Sequence, residues 1–269
     1  MRELFINSHR GKFSHQINFG LTQINDGLIN DDERLTMSVN FNKGIAAYER
    51  GDYATALSLW RPLADKGLVD AQFCLGTMYE SGEGVPQDYK EAVRLYRLAA
   101  DQGLAQAQFC LGNMYKNGQG VVQDQKKAVK WYRLAADQGS AIAQNNLGMM
   151  YESGIGAVQD LKEAEKWYRL AADQGDAYAQ VNLGAMYDLG HGVVQDYKEA
   201  VRLYRLAADQ GNAYAQFNLG VMYEYGQGVV QDHKEAVKWY RLSADQGDAL
   251  AQINLALMLD MKIDSRTLH

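Results

Sequence analysis

Histidines are the first side chains to consider in this 269-residue chain, because they could serve catalysis or bind a metal. The five are His9, His15, His191, His233 and His269. His191 lies in a predicted turn and His233 at the start of a predicted helix, and neither has a nucleophile or second metal ligand at a motif spacing. The sequence therefore predicts no catalytic residue, no metal site and no cofactor, and a protein that is not an enzyme.

Two cysteines, Cys74 and Cys110, stand 36 residues apart, which is also the spacing of the repeated phrases described below. Equivalent positions on neighbouring packed helices lie ~8–10 Å apart, whereas a disulfide needs Cα atoms within about 4.4–6.8 Å. We expect two free thiols that act as small packing residues. A reactive or metal-binding pair is the alternative interpretation.

Carboxylates paired three residues apart, such as Asp88 and Glu91, could suggest acid–base chemistry. The same spacing before an apolar run is the capping box that begins a helix, and we interpret the pairs in that way. Gly82 and Gly84 precede this pair, but no Lys-Ser/Thr follows them and no strand comes before, so they indicate a turn rather than a phosphate loop. The later pairs are Asp160/Glu163, Asp196/Glu199 and Asp232/Glu235, with Asp124/Lys127 as an exception.

The charge balance limits the classes of partner. With 27 Lys and Arg against 33 Asp and Glu, the net charge is −6, which disfavours nucleic acid and an anionic membrane as partners. No apolar run reaches the ~18 residues that span a bilayer, and residues 1–10 lack the apolar core of a signal peptide. We expect a cytoplasmic protein as the sequence stands; a misassigned start, with Met37 as the alternative, would leave a secreted or periplasmic location open.

Glycines recur every 36 residues, at 67, 103, 139, 175, 211 and 247. From 103 onward each closes the same phrase, AADQG in four copies and SADQG in the last. A unit of this length cannot bury its own apolar face, so neighbouring units must stack. Only 2 prolines and a composition rich in helix formers predict that the stacked elements are helices.

Each repeat predicts two helices, A and B. In the first full copy, helix A covers about residues 71–81 and directs Leu75 and Met78 to the core. Gly76 recurs inside helix A although glycine costs about 1 kcal/mol there, which predicts a close approach between helices. Helix B begins at Asp88 and ends at Gly103, where glycine can take a left-handed conformation.

The repeat also sets the predicted domain boundaries. Residues 41–67 form a shorter unit that we interpret as a cap, five full repeats occupy about 68–247, and a half repeat covers 248–260. Residues 1–40 show no period and are expected to form an N-terminal extension, either mobile or packed on the repeats. Residues 261–269 are a C-terminal tail.

The repeated phrase resembles the Sel-like repeat family, a branch of the tetratricopeptide superfamily. The pattern L-G-x-M-Y-x-x-G-x-G-V, closed by A-A-x-Q-G, runs from Leu75 to Gly103 and recurs four more times. The resemblance covers about residues 41–260. It implies an all-α, right-handed superhelical solenoid of antiparallel helix pairs with helix A on the concave side, and an adaptor or scaffold that assembles proteins.

Positions that vary between repeats point to the binding surface, because packing requires one residue in every copy and binding does not. In the last three repeats the variable helix A positions are almost wholly apolar, and large apolar or tyrosine-rich surfaces usually mark an interface. The predicted groove residues are Tyr178, Val181, Leu189, Tyr214, Phe217, Val221, Tyr225, Ile253 and Leu257. Coverage by the chain's own termini, a dimer contact, or burial in the core are the alternatives.

Four asparagines hold one helix A position in successive repeats: Asn146, Asn182, Asn218 and Asn254. An amide both donates and accepts, so the row could bind the backbone of an extended ligand, and it resembles the asparagine ladders of tetratricopeptide-type proteins. The alternative is that the amides bond neighbouring helices or cap backbone groups.

Helix B carries a row of arginines, each followed four residues later by an aspartate, as in Arg97 and Asp101. We interpret these as ion pairs on a solvated convex face rather than as a surface for an anionic partner.

The sequence thus predicts a non-enzymatic scaffold that binds a protein or peptide in its concave groove, mainly through the C-terminal repeats. The alternative is a structural homo-oligomer, such as a homodimer, whose groove is filled by another subunit or by the N-terminal extension. The identity of the partner is not encoded in the repeat.

Overall fold

A computed structural model describes residues 30–267 of the chain. Within that range the regular structure is entirely helical, which confirms the predicted all-α repeat fold. The helices are α1 (Asp31–Glu49), α2 (Tyr53–Asp65), α3 (Val69–Ser81), α4 (Tyr89–Asp101), α5 (Ala105–Asn117), α6 (Gln125–Asp137), α7 (Ala141–Ser153), α8 (Leu161–Asp173), α9 (Ala177–Leu189), α10 (Tyr197–Asp209), α11 (Ala213–Tyr225), α12 (His233–Asp245) and α13 (Ala249–Thr267).

The chain forms two compact units, residues 1–135 and 136–269, which divide inside α6. In both units, consecutive helices pack against each other. In the second unit, α9 and α10 are helices A and B of one repeat, and α10 also packs on α11, the helix A that follows. Each helix B is therefore shared between two neighbouring repeats.

The first helix extends across the predicted boundary at residue 41. Helix α1 begins at Asp31, with the side chain of Asn30 accepting a hydrogen bond from the backbone N–H of Glu33 at 2.8 Å. Met37 and Phe41 of this helix are buried in one cluster with Trp60. Residues 30–40 of the predicted extension are thus part of a helix that packs on the cap, and residues 1–29 lie outside the described residues.

Glycines end both helices of each repeat, as the sequence predicted. Gly82 follows α3 with φ 76°, and Gly103 follows α4 with φ 94°. A side chain at either position would be strained, because L-residues rarely adopt a left-handed backbone.

The predicted capping box forms only in part. Oδ1 of Asp88 accepts from the backbone N–H groups of Lys90 and Glu91 at 2.9 and 3.1 Å. The Glu91 carboxylate, however, accepts from the guanidinium of Arg94 instead of reaching back to the N-cap. The N-cap half of the prediction is confirmed, and the reciprocal half is wrong because the backbone N–H of Asp88 donates to the carbonyl of Tyr79 at 2.9 Å.

The glycine inside helix A permits the close approach that the sequence predicted. A Cβ added at Gly184 in α9 would lie 2.8 Å from Cε1 of Tyr204, and the same contact at Gly148 would be 2.7 Å, to the ring of Tyr168. Both tyrosines are almost completely buried. The glycine therefore accommodates the aromatic ring of helix B.

The two cysteines are free and buried in the first unit. Burial raises the pKa of both Cys74 and Cys110. Since the thiolate is the reactive form, this environment favours the predicted packing role over a reactive one.

Candidate functional site

A pocket of about 330 Å³ lies on the A helices of the second unit. It is lined by Asn145, Met149, Tyr178, Val181, Asn182, Tyr214 and Asn218, from α7, α9 and α11. Five of these seven belong to the groove predicted from the sequence. Asn145 and Met149 do not, although they occupy the same variable helix A positions one repeat earlier, which is the signal that could have found them.

Two tyrosines give the pocket exposed apolar walls. The side chains of Tyr178 and Tyr214 are 57% and 65% exposed, while Val181 between them is half-buried. Large apolar groups are usually buried, so consecutive exposed tyrosines beside a pocket are typical of an interface.

The other predicted groove residues lie outside this pocket. Leu189, Tyr225, Ile253 and Leu257 are exposed. Phe217 and Val221 were predicted to be exposed, but they are half-buried because they pack on the core cluster around Tyr240. The ring centroids of Phe217 and Tyr240 are 5.7 Å apart.

The predicted asparagine row is not a continuous ladder. Nδ2 of Asn182 donates to Oδ1 of Asn145 at 2.9 Å, and Nδ2 of Asn146 donates to the carbonyl of Ile142 in its own helix at 2.8 Å. Asn254 lies beside the hydroxyl of Tyr240. The side chain of Asn218 makes no hydrogen bond with the described part of the chain, so this amide at the pocket is available to a ligand.

Carboxylates near the ends of α7, α9 and α11 accept from tyrosines of helix B. The hydroxyl of Tyr168 donates to Glu152 at 2.6 Å, and that of Tyr240 donates to Glu224 at 2.5 Å. The equivalent contact joins the hydroxyl of Tyr204 to Asp188 at 3.4 Å. Burial raises the pKa of the three tyrosines, so they remain donors at neutral pH.

Two arginines of helix B, Arg169 and Arg205, donate to groups other than the aspartates four residues later. Arg169 donates to the hydroxyl of Tyr187 at 2.5 Å and to Glu165 at 2.5 Å. Arg205 likewise donates to the hydroxyl of Tyr223 in the next repeat. The predicted pairing is wrong here because the arginines turn toward the next helix A, where a tyrosine supplies both an acceptor and a ring face.

Buried glutamines, which the sequence analysis did not single out, connect successive helices. Nε2 of Gln180 donates to the carbonyl of Ala172 in α8 at 3.2 Å. Oε1 of Gln180 accepts from Nε2 of Gln210, which follows α10, at 2.9 Å. The signal that could have found them was the constant A-Q and D-Q-G pairs of every full repeat.

The packing and the constant residues match a known repeat. Five consecutive stretches match the Sel1 repeat, at residues 69–104, 105–140, 141–176, 177–212 and 213–248. The chain belongs to the Sel1 repeat family. Members of the Sel1 repeat family are generally non-catalytic scaffolds that bind proteins.

Solved structures include other Sel1 repeat proteins. A protective antigen of uropathogenic Escherichia coli strains, which displays an SLR fold, is 38% identical with a TM-score of 0.80 over 84% of this chain and 50% of that chain. This chain thus spans half the length of the antigen. A Sel1 repeat protein from Oxalobacter formigenes is 37% identical with a TM-score of 0.76, over 80% of this chain and 86% of that one.

An immunity protein from Pseudomonas aeruginosa shares the fold alone, at 22% identity and a TM-score of 0.50, over 78% of this chain and 80% of that one. No curated protein matches the chain.

Among the side chains of residues 30–260, no group of three or more His, Cys, Asp or Glu could hold a metal ion. None of the described helices is both long and apolar enough to cross a bilayer.

Proposed function

We propose that this Sel1 repeat protein binds an extended segment of a protein or peptide on the A helices of its second unit. The observation that carries the proposal is the pocket between Tyr178 and Tyr214, two large side chains that are exposed on the A helices of successive repeats. A tyrosine buries roughly 150–250 Å² when it is covered, so two together are a substantial anchor for a partner.

The polar lining suits a peptide. An extended backbone presents N–H and C=O groups that must be hydrogen-bonded when they leave water, and an amide side chain can satisfy either. Asn218 supplies such an amide beside the apolar walls. A side chain of the partner would fill the pocket while its backbone bonds to the amide.

Peptide display tests the proposal. A random library of 12-residue peptides is selected on the full chain and on the double variant Tyr178→Ser/Tyr214→Ser. Loss of two hot-spot aromatic side chains should weaken binding of the selected peptides at least tenfold. The helical circular dichroism should not change, because both side chains are largely exposed.

The matched control removes two exposed apolar side chains elsewhere. Val194 and Val230 are each 88% exposed in turns between helices, so Val194→Ser/Val230→Ser should bind like the wild type. Peptides that bind all three proteins equally would contradict the proposal. A concentration-dependent dimer that only the tyrosine variant loses would instead support the homo-oligomer.

A further inference from the structure

We propose that the pocket selects a cationic peptide, one in which lysine or arginine side chains accompany the apolar residue that fills the pocket. The inference rests on the proposed function, since it specifies the chemistry of the segment that the groove takes. Charge on the pocket-lining helices is what distinguishes this partner from others.

The three helices that line the pocket carry charge of one sign only. Their sequences contain no lysine, arginine or histidine, and each has one carboxylate: Glu152 in α7, Asp188 in α9 and Glu224 in α11. Lys116 occupies the equivalent position of α5 in the first unit, so the repeat itself does not require an acid there.

Two of the three carboxylates lie on the pocket side of their helices. Glu152 is one turn after Met149, and Asp188 is two turns after Val181, and both of these earlier residues line the pocket. Residues three, four or seven positions apart share a helix face. Glu152 and Asp188 therefore lie beside the apolar pocket, and Glu224 holds the equivalent position in the next helix A.

Each carboxylate keeps capacity for a further partner. Glu224 and Asp188 accept from a tyrosine through one oxygen, Oε2 and Oδ2 respectively. Oε2 of Glu152 is used in the same way, and its Oε1 lies 3.6 Å from Nδ1 of His191. A carboxylate offers about four lone-pair sites, so a bound cation need not displace the tyrosine.

Partial burial gives Asp188 a reason to bind a cation. Burial raises the pKa of the Asp188 carboxyl, because its charge is poorly solvated there. An ammonium or guanidinium group at the other oxygen would compensate this loss of hydration.

The spacing of the helices predicts the spacing of the cations. The hydrogen bond between Asn145 and Asn182 places α7 and α9 in direct contact, and packed helices lie ~8–10 Å apart. An extended chain advances about 3.3 Å per residue. A peptide that crosses the helices therefore meets a new carboxylate about every three residues.

The same charge argument disfavours a second copy of this chain as the occupant. Each copy has a net charge of −6, and like charges suppress association. A cationic peptide would be attracted electrostatically to this chain, whereas a second copy would be repelled.

Selection of a 12-residue random library on the full chain tests the inference. The selected peptides should be enriched in Lys or Arg at a spacing of about three residues around an aromatic or aliphatic residue. They should bind the triple variant Glu152→Gln/Asp188→Asn/Glu224→Gln roughly tenfold more weakly than the wild type. The amide replacements keep an acceptor for each tyrosine, so the fold should persist.

A matched variant, Asp173→Asn/Asp209→Asn/Asp245→Asn, removes the same charge from the exposed ends of α8, α10 and α12. Binding to it should stay within about twofold of the wild type. Equal losses in both triple variants would mean that only net charge matters, and would overturn the inference.

The inference and the proposed function can fail separately. Selected peptides that lack Lys and Arg, but do not bind the variant Tyr178→Ser/Tyr214→Ser, would overturn the charge inference and leave the proposed function standing. No enrichment of any peptide, or peptides unaffected by the tyrosine variant, would overturn both.

Discussion

At the scale of single residues, the constant side chains of this Sel1 repeat protein serve contacts between helices. The buried glutamine of helix A is the clearest case, because its side chain bonds to two other segments. The amide of Gln180 donates to the carbonyl of Ala172, and its oxygen accepts from the amide of Gln210. A buried polar group is tolerated only when it is hydrogen-bonded, so these partners explain why glutamine occupies a core position.

Replacing this glutamine should destabilise the protein. Gln180→Ala removes the partner of the Ala172 carbonyl and of the Gln210 amide. The free energy of unfolding, measured by urea denaturation, should fall by about 1–3 kcal/mol. Gln252→Ala is the matched control, because Gln252 is exposed and bonds only the carbonyl of Ala244. Equal losses of unfolding free energy in the two variants would show that burial does not determine how much the hydrogen bond stabilises the protein.

At the scale of the helix, the ends are specified locally and the middles by packing. Asp196 caps α10 by accepting from the backbone N–H groups of Lys198 and Glu199 at 2.9 and 3.1 Å. Glu199 pairs with Arg202 instead of closing the capping box, with the two groups 2.7 Å apart. The two acids therefore have unequal importance for the helix.

Substitutions at the start of α10 should reveal this inequality. Asp196→Ala should lower the free energy of unfolding by about 1 kcal/mol, because two N-terminal N–H groups lose their acceptor. Glu199→Gln should cost less than half as much, since it weakens only a surface ion pair. Urea denaturation of both variants measures the difference, and comparable losses would indicate that Glu199 does contribute to the cap.

At the scale of the molecule, equivalent junctions recur along the second unit. The N–H of Ala179 donates to the side chain of Asp176 at 2.8 Å, and the N–H of Ala215 donates to that of Asn212 at 3.0 Å. A repeat interacts mainly with its neighbours, so its stability is roughly a sum of units and interfaces. One whole repeat is therefore removable.

Deletion of residues 177–212 should leave a folded, helical protein. It joins Asp176 to Ala213, which restores the same cap and the same alternation of helices A and B. Circular dichroism per residue should be unchanged, while the selected peptides should no longer bind because half of the pocket has gone. Deletion of residues 177–194 removes helix A alone, so it should abolish cooperative unfolding; equal behaviour of the two would contradict modular stacking.

The sequence by itself determined the helices, the turns and the exposed tyrosines. A 36-residue period repeats the same local preferences, and glycine, N-cap and apolar positions act within a few neighbouring residues. Gly103 and Asp88 therefore took the predicted roles, and Tyr178 and Tyr214 line one pocket as the variable positions indicated.

Only the tertiary structure decided the partners of the polar side chains. Asn182 bonds Asn145 rather than joining a ladder, and Arg205 meets a tyrosine of the next repeat rather than its own aspartate. That Glu152 and Asp188 accept from tyrosines of helix B also emerged only from the packed helices. These groups choose among acceptors that helix packing brings close, and sequence spacing does not encode which acceptor lies nearest.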